Sequence, residues 1–82
     1  MNIAVDISLY PLDADFIPPI RDVIARLNSQ DGLEVVTNPM STQIRGEYDI
    51  VMTAISQEIK ATFEYVPKAV FAIKILNNPI VS

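Results

Sequence analysis

The sequence predicts an α+β domain with the ferredoxin-like arrangement: strands and helices in βαββαβ order, a four-stranded antiparallel sheet and both helices on one face. Three observations carry this. Asn2 to Tyr10 and Ala69 to Leu76 alternate with period two, as strands with one buried face do. Two stretches between them repeat apolar residues at helical spacing. At the centre, Asn38-Pro39 forms a tight polar turn between two short strand-like runs.

The first strand turns Ile3, Val5, Ile7 and Leu9 one way, and Ala4, Asp6, Ser8 and Tyr10 the other. Pro11, with no N–H for a ladder, is expected to end it. Asp13-Ala14-Asp15 offers helix caps, and Pro18 and Pro19 are tolerated in a first turn, so a helix is expected from near Asp15. Its inner stripe is Phe16, Ile20, Val23, Ile24 and Leu27; Arg21, Asp22, Arg26 and Gln30 face out. The helix is expected to end within Asn28-Ser29-Gln30-Asp31-Gly32, Gly32 taking a left-handed conformation.

Leu33 to Thr37 reads as the second strand and Met40 to Arg45 as the third, with Met40, Thr42 and Ile44 inward. Gly46 is expected to break that strand, and Glu47 and Asp49 suit the positive end of a following helix. The second helix runs from about Tyr48 to Tyr65, with Val51, Met52, Ile55, Ile59, Thr62 and Phe63 inside and Gln57, Glu58, Lys60 and Glu64 in solvent. Val66-Pro67 closes it. The last strand puts Ala69, Phe71, Ile73 and Ile75 opposite to Val70, Ala72, Lys74 and Leu76, and the tail after Asn77-Asn78-Pro79 is loose. Right-handed crossovers then make the first and third strands central.

Composition narrows the function. The 82 residues make one small domain, 1–82, and half of them are hydrophobic. A chain this short buries about 60–65 % of its unfolded surface, so an apolar excess points to assembly. The net charge is −4 with no basic run, which argues against nucleic acid as a partner. There are no cysteines or histidines, so disulfides, thiol nucleophiles, the usual zinc sites and Ser-His catalysis are excluded. No Gly-rich phosphate loop and no persuasive carboxylate pair remain, so the expectation is a non-enzyme without cofactor or metal. No apolar run approaches the length of a membrane span, and the expected location is the cytoplasm.

Two places invite a ligand or a partner. The sheet face away from the helices carries Asp6, Arg45 and Lys74 beside Ala4, Val36 and Val70. It is either a solvated face with cross-strand ion pairs or a face packed on another subunit, with Asp6 paired to Arg45 or Lys74. Around the central turn, Asn38, Ser41 and Thr42 gather donors and acceptors suited to a flat heterocycle, with Tyr10 or Tyr48 as a stacking surface. Thr42 has a plainer alternative, a hydroxyl bonded to a neighbouring group with its methyl in the core. Glu47 or Asp49 is placed to meet a cationic group, or simply to stabilise a helix start.

Ser8-Leu9-Tyr10-Pro11-Leu12 and the run Asn38-Pro39-Met40-Ser41-Thr42-Gln43-Ile44-Arg45-Gly46-Glu47-Tyr48-Asp49 together resemble the thiamine-binding YkoF-like family, also called the MTH1187-like or DUF77 family. The resemblance spans about Ile3 to Leu76, and Met-Ser-Thr-x-Ile-x-Gly before an acidic helix start is its most specific part. It implies a ferredoxin-like fold assembled through its sheets into homo-oligomers, dimers or tetramers. It further implies binding of thiamine or its hydroxymethylpyrimidine moiety without chemistry, linked to thiamine uptake or salvage. Carried over by motif position, the ligand-binding residues are Ser8, Tyr10, Asn38, Ser41, Thr42 and Glu47. The alternative function is a structural or regulatory oligomerisation module with no small ligand.

Overall fold

A computed structural model describes residues 1–12 and 17–79. Its elements follow the order β1 (Asn2–Pro11), α1 (Ile17–Asn28), β2 (Glu34–Thr37), β3 (Thr42–Glu47), α2 (Tyr48–Tyr65) and β4 (Ala69–Asn77). The four strands form one antiparallel sheet in the spatial order β2-β3-β1-β4, so β1 and β3 are central. This is the ferredoxin-like α+β fold. The cap candidates Asp13 and Asp15, Phe16, and the expected helix start near Asp15 lie outside the described residues, as does the tail from residue 80.

The alternation of β1 does what its period requires. Ile3, Val5 and Ile7 are almost fully buried under the helices, with Val23, Leu27, Ile44, Val51, Ala54 and Ile55. Each such large aliphatic side chain contributes about 1.5–3 kcal/mol of burial free energy. α1 holds Pro18 and Pro19 in its first turn, where N–H groups have no intrahelical partner to lose. Gly32 has φ +82° in the turn before β2, the left-handed conformation that glycine adopts freely.

Several local expectations are corrected. Pro11 belongs to β1, opposite Ala69. The Leu12 N–H donates to the Lys68 carbonyl at 3.0 Å, so Leu12 and Lys68 form the hydrogen-bonded pair and the Pro11 nitrogen points away from β4. A proline costs that ladder nothing there.

β3 begins at Thr42 rather than Met40, and Met40 is 85 % exposed in the turn instead of facing inward. Gly46 does not break β3: it pairs with Ile3, and Glu47 pairs with Asn2. Its role is close approach, since a Cβ there would lie 2.8 Å from the Gly32 carbonyl oxygen. Ile75, placed inward by alternation, is half exposed on the outer strand β4.

Phe63 is likewise half exposed, its ring against Phe71 with centroids 5.8 Å apart. Glu58, expected in solvent, is 3 % exposed and accepts a hydrogen bond from Arg26 Nε at 2.6 Å. Arg26 is therefore an α1–α2 tie and not a free surface charge. On the open sheet face Asp6 stands opposite Lys74 and Gln43, yet it forms no ion pair with Lys74 or Arg45.

Candidate functional site

The site grows from a disagreement between two strands. β1 pairs with β3 only as far as Ile7 opposite Thr42, while its β4 partner continues to Pro11. Beyond Ile7 the β2–β3 turn leans away. Asn38 shapes that turn: its Oδ1 accepts the N–H groups of Met40 at 2.8 Å and Ser41 at 3.0 Å. Its own N–H donates to the Ser41 carbonyl at 3.0 Å. An Asn side chain that satisfies two amides holds the turn against collapse onto β1.

The gap between them opens a groove of about 490 Å³. Ile7, Leu9, Ile20, Val23, Ile24 and Phe71 give it an apolar wall from the sheet and α1. Thr37, Asn38, Ser41 and Thr42 supply polar groups on the opposite side, with Pro39 and Met40 at the turn. Ser8, Tyr10, Pro11 and Leu12 complete the β1 rim. No charged side chain lines it among the described residues. A mostly apolar concavity with a few convergent polar groups suits a small planar heterocycle.

Five of the residues singled out from the sequence, Ser8, Tyr10, Asn38, Ser41 and Thr42, are brought together at this groove. Thr42 is 7 % exposed, and its Oγ1 lies 3.2 Å from Thr37 Oγ1 on the neighbouring strand. Either hydroxyl donates to the other, which leaves the acceptor of that bond with a proton of its own to offer. Ser8 Oγ reaches the Met40 carbonyl oxygen at 3.5 Å, a long and weak bond that a ligand replaces at little cost. Tyr10 is about half exposed at the rim.

Glu47 is not part of this arrangement. It stands at the other end of β3 and caps α2, its Oε2 accepting the N–H groups of Asp49 at 2.9 Å and Ile50 at 3.3 Å. Tyr48 and Asp49 share that end, so neither the second stacking surface nor the expected carboxylate reaches the groove. Among the described residues no cluster of acidic side chains is arranged to hold a metal ion.

Sequence reasoning missed Thr37, Leu9 and the α1 wall. Thr37 was detectable in principle, because a turn across Asn38–Ser41 places it opposite Thr42. The others depend on how far β3 departs from β1, which no local pattern encodes.

The comparisons with known proteins agree with this architecture. The model of a family described as thiamine-binding protein matches residues 5–79. The chain belongs to that thiamine-binding family. No curated protein sequence matches it.

Among solved structures, a protein from Streptococcus pneumoniae is similar at 26 % identity and a TM-score of 0.89, over 98 % of this chain and 90 % of that one. A Thermotoga maritima protein provisionally assigned to thiamine biosynthesis or salvage is similar in fold at 19 % identity and a TM-score of 0.84, over 95 % of this chain and 85 % of its own. A domain of unknown function, DUF77, from Bacillus cereus shares the fold at 18 % identity and a TM-score of 0.74, over 96 % of this chain and 78 % of that one. Among the described residues, no helix is long and apolar enough to cross a membrane.

Proposed function

We propose that this chain, acting as one small domain, binds thiamine or its hydroxymethylpyrimidine moiety in the groove between β1, α1 and the β2–β3 turn. It does so without catalysing a reaction, in the cytoplasm, in support of thiamine uptake or salvage. The observation that carries the reading is the groove itself: a largely apolar slot, without charge among its described lining residues, with hydroxyls and an amide along one side, in a member of a thiamine-binding family.

Its wall takes the face of a neutral pyrimidine, and the Thr37–Thr42 pair and the Asn38 side-chain amide hydrogen-bond its edge. The thiazolium, a cation, has no counter-charge among the described lining residues and is left at the mouth in this reading. Ser8, Tyr10, Asn38, Ser41 and Thr42 are the ligand contacts in this reading; Glu47 acts as the cap of α2.

Titration calorimetry with thiamine, then with hydroxymethylpyrimidine, tests it, with the oligomer mass measured on the same sample. Saturable binding at micromolar strength or better, about −8 kcal/mol, supports the reading. No heat with either compound from a folded sample overturns it.

A second reading, an oligomerisation module without a small ligand, is favoured by the open sheet face. Val36, Val70 and Leu76 are each at least half exposed there, beside Asp6, Arg45 and Lys74. Assembly into homo-oligomers through that face is compatible with both readings.

A further inference from the structure

We propose that the backbone of Leu9 reads the ligand, its N–H donating to a ring nitrogen and its C=O accepting from an amino group beside that nitrogen. This deepens the binding function proposed above and rests on that reading for the place of the ligand.

Two hydrogen bonds fix which way each backbone group points. The Leu12–Lys68 bond, with Pro11 opposite Ala69, sets the even residues of β1 to face β4 and the odd ones to face β3. The Asn38–Ser41 bond, with Thr37 opposite Thr42, sets odd residues of β3 toward β2 and even ones toward β1. The two assignments meet consistently: Ile3, Val5 and Ile7 face Gly46, Ile44 and Thr42. The next rung of that ladder is Leu9 with Met40, and it is not made.

Met40 has turned away. Its N–H is held by Asn38 Oδ1 at 2.8 Å, and its carbonyl receives the Ser8 hydroxyl at 3.5 Å. Leu9 therefore directs both an N–H and a C=O into the groove, and neither has a hydrogen-bond partner among the described residues.

Pro11, the next odd residue, offers a carbonyl on that side but no N–H, so the strand edge presents a single donor with acceptors beyond it. A backbone donor and acceptor without a protein partner are free to pair with a ligand, and a ligand that leaves them unpaired once the groove is filled is selected against. An aminopyrimidine rim, acceptor beside donor, is complementary to this edge.

The wall below Leu9 is apolar and holds the ring face without competing for its edge. Thr37 and Thr42, whose hydroxyls donate or accept as needed, tolerate many ligands. The fixed polarity of the Leu9 backbone does not, which makes it the discriminating element.

The test replaces the Leu9 amide by an ester in the full chain, made by chemical ligation with the α-hydroxy acid equivalent of leucine. The probes are thiamine, 4-amino-2,5-dimethylpyrimidine and 2,5-dimethylpyrimidine. The lost N–H has no partner among the described residues, so the ester chain is expected to keep the native circular dichroism spectrum. It is expected to bind both amino compounds at least about tenfold more weakly, and the native chain to bind the deaminated ring at least about tenfold more weakly than its amino parent.

Unchanged affinity in the ester chain overturns the proposal, whatever thiamine does. Binding of the aminopyrimidine but not of thiamine, with the ester still weakening it, upholds the Leu9 edge and removes the thiamine reading. Failure of the native chain to bind any probe removes both. Should the ester chain misfold, the Leu9 amide of the native ¹⁵N-labelled chain decides: a ligand-dependent shift and slowed hydrogen exchange support the edge, and no response overturns it.

Discussion

At the scale of single residues, Thr42 is the side chain that tests the proposed site most directly. It sits 7 % exposed at the last rung between β1 and β3, paired with Thr37 across the strands. Thr42→Val keeps the shape and removes the hydroxyl. The remaining Thr37 hydroxyl loses its partner, which costs about 1 kcal/mol of stability. Thiamine affinity should fall at least about tenfold, or ~1.4 kcal/mol, in calorimetric titration, with the oligomer mass unchanged. Glu47→Ala is the matching control. It removes the α2 cap and lowers the melting temperature, but it lies at the far end of β3 and should leave thiamine affinity as it was. A large affinity loss in Glu47→Ala, with none in Thr42→Val, places the site at the wrong end of the strand.

At the scale of elements, the Arg26–Glu58 pair ties the two helices together. Glu58 recurs with Val51, Ala54, Ile55 and Thr62 along the buried stripe of α2, and Arg26 reaches it from α1 at 2.6 Å. Arg26→Ala leaves a buried carboxylate without its counter-charge and should cost about 3 kcal/mol in urea denaturation. Glu58→Gln should cost less, because Arg26 is 38 % exposed and keeps water as a partner. The double change Arg26→Met with Glu58→Leu should recover most of the loss, since an apolar pair of similar size needs no charge compensation.

This pair also shows what the sequence conveyed and what it withheld. Strand alternation and helical stripes revealed the element order, the central strands and the bounds of α2, because those depend on local period. The burial of Glu58 was hidden because a charged residue reads as solvent-facing until its partner, distant in sequence, is known. Gly46 was read as a strand break for a similar reason. Its lack of a Cβ serves the passage of the Gly32 carbonyl, a contact between segments that sequence order keeps apart. The polar residues of the groove were visible as a cluster around one turn. Its apolar wall and the unpaired Leu9 edge arise from strand divergence and were not.

At the scale of the whole molecule, the open sheet face is where the proposed assembly of the chain with its copies is tested. Tyr10, Val36, Val70 and Leu76 are each at least half exposed on it. Between them lie Asp6, Arg45 and Lys74, a mixed set that can face a second copy of itself across a two-fold axis. Asp6 Oδ1 is buried and has no hydrogen-bond partner among the described residues, and a neighbouring subunit's cation is one way to satisfy it. Placing charge in the apolar part of such an interface is costly, so Val36→Lys with Leu76→Lys should shift the protein to monomer in sedimentation velocity at micromolar concentration, with its circular dichroism unchanged. A wild type that is already monomeric, or a double variant that still assembles, removes this face as the interface. The same variant then settles where the site ends. If the monomer binds thiamine as the native protein does, the groove is complete within one chain; if binding disappears while the fold persists, a neighbour closes the mouth beside Tyr10.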